Sequence, residues 1–166
     1  MTATAAPTKT TPRTTPRTAT ARCATAPCTW LTLTERVRNA GGYRTAAEAE
    51  HRTRVVLSAL GSQVTGEERV SLAHALPEEA AGLIAAQIPA LHPLPARDFV
   101  ESVASRLDNA TTATARWDTS TVLTVLADLL PPPLLTNVLT QLPRGYALLF
   151  GRAELSADRP LAHRTG

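Results

Sequence analysis

At 166 residues, 43% of them hydrophobic, the chain is long and apolar enough for one ordinary domain with a real core, which excludes a protein disordered throughout. Its longest apolar passage, VLTVLADLLPPPLLTNVL, is broken by Asp128 and three prolines; no run reaches the roughly 18–20 residues that span a bilayer, so a cytoplasmic protein without a membrane span is expected. The pI near 9.4 reflects a basic tail more than a basic domain: residues 1–34 carry Lys9, Arg13, Arg17 and Arg22 with no acid, a charge of +4, while the other 13 bases and 14 acids leave −1.

Residues 1–29 are built from Thr, Ala, Pro and Arg, with a tandem TTPR and almost no large apolar side chain before Trp30. Such a segment buries too little surface to offset its chain entropy, so a disordered tail is expected. A flexible extension, an electrostatic tether to nucleic acid and an organellar transit peptide all fit an acid-free, Arg-containing stretch. Prolines at 7, 12, 16 and 27 spoil the amphipathic helix that a transit peptide needs, and the absence of an apolar stretch speaks against a secretory signal. Cys23 and Cys28 are spaced C-x4-C with no second pair to complete a metal site.

Order is expected to begin at Trp30. In TWLTLTERVRNAGG, Thr32 with Glu35 three residues on reads as a capping box, Leu33, Val37 and Ala40 share a face, and Gly41-Gly42 is a stop. Thr45 with Glu48 opens the longest helix, in which Ala49, Thr53, Val56, Leu57, Leu60 and Val64 recur at helical spacing. Thr65 with Glu68 opens a third, with Val70, Ala73 and Leu76 facing inward. Pro77 suits the first position of a fourth, with Glu78 and Glu79 in a first turn where the helix dipole favours carboxylates.

After the connector PALHPLP the pattern restarts in register. ARDFVESVASRL matches the first helix, TTATARWDTSTVLTVLADLL the second, PPPLLTNVLTQL the third and RGYALLF the fourth, with Pro133 and Pro143 as helix-starting prolines. A gapless shift of 66 gives 13 identities over the 52 positions from Leu33 to Ile84, among them Glu35 with Glu101, Thr45 with Thr111, Leu57 with Leu123 and Leu76-Pro77 with Leu142-Pro143. Most fall on the apolar faces, which points to an internal duplication. Each half is a size at which a lone core is marginal, so the expected fold is all-α: two tandem helical repeats of about four helices each, at about 30–88 and 96–151, packed as one helical bundle domain over 30–151, with a polar tail at 152–166.

The second copy, LPRGYALLFG, the helix RTRVVLSALG before the first, and the order of the elements resemble the bacterial family known as domain of unknown function 2267. Leu142, Pro143, Tyr146, Leu149 and Phe150 match its phrase position by position. The resemblance covers Trp30 to Gly151 and implies two helical repeats. Two stretches depart from it: the Thr-rich NATTATARWDTST, where an acidic helical stretch is common, and the prolines at 131–133, where a Gly-rich turn is common. The family has no established activity to carry over, and it lends this chain no catalytic residue.

Nothing in the sequence recommends an enzyme. His51, His74, His92 and His163 fall on different elements, and none has a second ligand at helical spacing; no metal or cofactor is expected. His51 and His74 suit packing or boundary positions. Glu67-Glu68 and Glu78-Glu79 are explained by helix-end electrostatics, and there is no nucleophile elbow, phosphate loop or dinucleotide fingerprint. Two features bear on binding. Leu134, Leu135, Val138, Leu139 and Leu142 form an apolar band wider than one small repeat needs; the first four of these, with Tyr146, which stands where the first repeat has Ala80, are the candidate surface for a protein partner or self-association. The basic tail is the other, and it suggests nucleic acid only weakly, since six aromatics leave little to stack on bases. The expected protein is a helical scaffold or interaction module; a nucleic-acid-associated regulator and an enzyme with a cleft between the repeats are the alternatives.

Overall fold

The computed structural model describes residues 28–152, and over these it is all-helical: α1 (Trp30–Gly41), α2 (Ala46–Gln63), α3 (Gly66–His74), α4 (Glu78–Ala85), α5 (Ala96–Ala104), α6 (Thr112–Leu129), α7 (Pro132–Gln141) and α8 (Tyr146–Leu149). Residues 1–27 of the expected N-terminal tail, with Cys23, and 153–166 of the C-terminal one, with His163, lie outside the described residues. No described helix is long and apolar enough to cross a membrane.

The helix ends follow from local chemistry. Thr45 accepts a hydrogen bond from the Glu48 amide at 3.1 Å, and the Glu48 carboxylate reaches back to the Arg44 amide at 3.3 Å. Thr111 does the same for the Thr114 amide at 3.2 Å at the start of α6. In each case an orphan first-turn amide is satisfied by a threonine hydroxyl. At α1 the cap is Thr29, which accepts from the Thr32 amide at 3.2 Å; the Thr32–Glu35 box does not form because the helix has already begun at Trp30. Gly42, in the left-handed region at φ 67°, ends that helix. Thr65 caps with no side-chain bond. Instead Gln141 of α7 takes both groups: its side-chain oxygen accepts from the Thr65 amide at 3.4 Å, and its amide donates to the Glu68 carboxylate.

Prolines start α4, α5 and α7. Pro77 and Pro95 are the caps rather than the first helical residues. α7 begins a residue earlier than its sequence suggests, at Pro132 with Pro131 as cap, because first-turn residues need no amide hydrogen. Pro143 does not start the last helix. The chain turns through Gly145 at φ 97°, a conformation costly for any residue with a Cβ, and α8 runs for only four residues.

The core is a single cluster of aliphatic side chains with Phe99, Tyr146 and Phe150. α2 and α6 run through its centre and touch each other; α1 and α4 pack on α2, α5 and α8 on α6, while α1 also meets α6 and α5 meets α2. All six residues expected on the inner face of α2 are buried. Two other expectations fail: Ala40 is exposed, and α3 turns Leu72 inward at 0% exposure while Val70 stands 57% exposed. α3 spans only two and a half turns, so its buried face is selected by the helices it lies on, α4 and α7.

α1, α2 and α3 start 66 residues before α5, α6 and α7, and α2 and α6 are both 18 residues long. Burial keeps the same step: Leu33 and Phe99, Val37 and Val103, Thr53 and Thr119, Leu60 and Leu126, Ile84 and Phe150 are all buried.

Candidate functional site

Two places combine polar chemistry with unusual packing. The first lies where α2 meets α6. Asp118, 1% exposed, accepts from the Tyr43 hydroxyl at 2.6 Å on one carboxylate oxygen and from Arg52 Nε at 2.9 Å on the other. Arg52 also pairs with Glu48 at 2.9 Å, and its guanidinium lies 4.9 Å from the centre of the Tyr43 ring. Burial, then the hydrogen bond and charge of Asp118, push the Tyr43 phenol well above its ordinary value. A carboxylate with both oxygens committed to protein donors is a clasp rather than an acid or base awaiting substrate. No residue of this cluster lines either of the two grooves described below.

A second tie is the connector. Its Leu94 amide donates to the buried Gln63 side chain at 2.7 Å, and its Leu94 carbonyl accepts from the Tyr146 hydroxyl at 3.1 Å. The Tyr146 ring packs against Phe99 with centroids 5.2 Å apart, and burial raises its phenol above the ordinary range. Tyr146 therefore has an internal task and presents no surface.

The second place is an open apolar groove of about 590 Å³ between α7 and α8, floored by Ala127 and Leu130 of α6 and walled by Leu135, Leu139 and Leu142. The wedge between α3 and α4, 66 residues earlier in the chain, is shut. There Arg69 of α3 donates to the carbonyls of Ile84 at 2.7 Å, Ala85 at 3.1 Å and Gln87, fastening α3 to the end of α4. Gly61 lets α4 approach closely: a Cβ there would stand 2.8 Å from the Ile84 backbone. Sixty-six residues on, Arg69 becomes Leu135 and Gly61 becomes Ala127. The Leu135 side chain has no donor, and α8 is a single turn.

Of the candidate surface residues, Leu135 and Leu139 line this groove. Leu134 is half-buried against the core, and Val138 and Tyr146 lie wholly within it. Thr136, Thr140, Arg144 and Arg152 lie on the rim, and periodicity did not single them out because they are polar and the two arginines lie outside the helices. A smaller groove of about 310 Å³ beside α5 is bordered by Arg97, Arg116 and the exposed Leu148. His51, His74 and His92 are exposed, and so is Trp117 at 58%. Cys28 is half-buried against the core beside α1.

No curated protein matches this sequence. A family model does, that of an uncharacterized conserved protein (DUF2267), and it spans residues 30–149, the whole run of helices from the start of α1 to the end of α8. The chain belongs to this family.

Proposed function

We propose that this chain is a non-enzymatic helical module of the bacterial cytoplasm, built from two copies of a four-helix unit, that binds another protein through the groove between α7 and α8. The observation that carries the reading is the groove itself: an apolar trough left open in one half at the place where the other half is shut by Arg69 and Gly61. A concave site lined mainly by apolar side chains is the default candidate for a binding surface. The duplication is supported by the common 66-residue step of the helix starts. It is supported too by the Arg52–Asp118 pair, since residues at equivalent positions of two-fold-related units meet each other only beside the axis.

The test is photocrosslinking in the native host from Thr140, on the groove rim, with Thr45 as a control position at the start of α2. A single protein species captured from Thr140 but not from Thr45, and still captured when the chain starts at Thr29, is the expected result. Capture of nothing from Thr140 contradicts the reading, and so does binding that requires residues 1–28 and fades steeply with salt, which would point to a nucleic-acid tether.

A further inference from the structure

We propose that the occupant of this groove is an amphipathic helix of a partner protein, carrying carboxylates along the flank that faces Arg144 and Arg152; the inference rests on the groove being the binding surface. The first argument is backbone satisfaction. Thr136 and Thr140, the hydroxyl-bearing residues of the α7 wall, donate to the carbonyls of Pro132 at 3.0 Å and of Thr136 at 2.9 Å on their own helix. The lining is otherwise leucines, alanines, Pro132, Pro143 and Gly145, with Arg144 and Arg152 on the rim. So few polar groups leave most amide and carbonyl groups of an extended peptide without partners. A helix satisfies its own backbone and offers a stripe of side chains at i, i+3, i+4 and i+7 to an apolar trough.

Charge supplies the second argument. Arg144 makes no hydrogen bond or ion pair among the described residues, and the nearest carboxylate to Arg152 is that of Asp128 at 3.9 Å, 67% exposed. Both arginines are exposed on the groove's rim, so the mouth is positive and a flanking acid is attracted to it. A second copy of this chain fits less well. Its exposed large apolar side chains on helices, Leu31, Val70, Trp117 and Leu148, lie one each on α1, α3, α6 and α8, so no described helix offers a stripe.

The probe is a fluorescein-labelled helical peptide of about five turns with leucines at heptad-like spacing and glutamates on both flanks, titrated with the full chain by fluorescence anisotropy. Saturable binding is expected, weakened roughly fivefold when glutamines replace the glutamates or when Arg144→Glu and Arg152→Glu are combined, with that difference vanishing at high salt. Leu139→Asp is expected to abolish binding. Thr136→Arg, an exposed rim change that leaves the core intact, is expected to do the same and guards against misfolding of the first variant. Four results overturn the proposal: no saturable binding, equal binding of a peptide with its leucines scrambled off one face, indifference to the glutamates, or a concentration-dependent dimer that Thr136→Arg dissociates. Photocrosslinking from Thr140 to a partner with no peptide binding would leave the groove as a binding surface and reject only its helical occupant.

Discussion

Replacing Arg52 by methionine leaves the Asp118 carboxylate, 1% exposed, with the Tyr43 hydroxyl at 2.6 Å as its remaining side-chain donor. A buried charge that loses its counter-ion typically costs 3–5 kcal/mol; the surviving short hydrogen bond places Arg52→Met at the lower end, about 3 kcal/mol. The reverse change is milder. In Asp118→Leu, Arg52 keeps Glu48 at 2.9 Å and its side chain is already 22% exposed, so the loss is chiefly the acceptor of Tyr43, about 1–2 kcal/mol. Making both changes removes charge and counter-charge together but still leaves the Tyr43 hydroxyl without its acceptor, so the double variant is expected to cost no more than Asp118→Leu alone, about 1–2 kcal/mol. Urea unfolding followed by far-ultraviolet circular dichroism gives the four free energies of the cycle. A coupling near 3 kcal/mol is expected; single costs that simply add, or Arg52→Met costing less than about 1 kcal/mol, would refute the clasp.

Gly61→Ala should raise helix propensity by up to about 1 kcal/mol, yet a Cβ would press on the Ile84 backbone, so net destabilisation of about 1–2 kcal/mol is expected; an unchanged or raised melting temperature would show that α4 does not seat on α2 as described. Thr45→Ala should cost about 1 kcal/mol because its hydroxyl caps α2, whereas Thr65→Ala, at a cap without a side-chain bond, should fall within about 0.5 kcal/mol of the parent; equal losses would contradict the capping assignments. Tyr43 and Tyr146 are the only two tyrosines, and both phenols are raised in the fold. Their stabilisation is complete below the unfolded phenol value of about 10 and is lost as pH rises beyond it. Phenolate absorbance should therefore appear together with loss of helical circular dichroism, and a phenolate titrating near pH ~10 in a still-helical chain would contradict the burial of that ring.

Periodicity made α2 and α6 legible because eighteen residues give five turns in which an apolar stripe can declare itself. It misjudged α3, where Val70 was expected inward and Leu72 is the buried residue, because in so short a helix only the neighbouring helices decide which face is covered. Caps were readable at Thr45 but not at Thr32, since an S/T-x-x-E pattern inside a helix already begun at Trp30 is indistinguishable by sequence from one at its start. The groove was half legible. Its leucine wall stood out as excess apolar surface, but that Leu135 and Ala127 stand 66 residues after Arg69 and Gly61 acquires meaning only once the contacts of Arg69 and Gly61 with the end of α4 are known. The Arg52–Asp118 clasp left no local signal: its members stand 66 residues apart on different helices, at equivalent positions of the shift, but the shift alone does not say that equivalent residues touch. Tyr146 exceeded what its counterpart Ala80 required, and the excess went into pinning the connector.

The groove between α7 and α8 is tested most directly by backbone amide chemical-shift mapping of the full chain during titration with the glutamate-flanked helical peptide. Shifts concentrated on α7, the end of α6 and the turn leading into α8, and lost in Thr136→Arg, are the predicted result. Shifts that are absent, or that cluster on α1 and α3 instead, would contradict the groove as the surface by which this protein binds a partner.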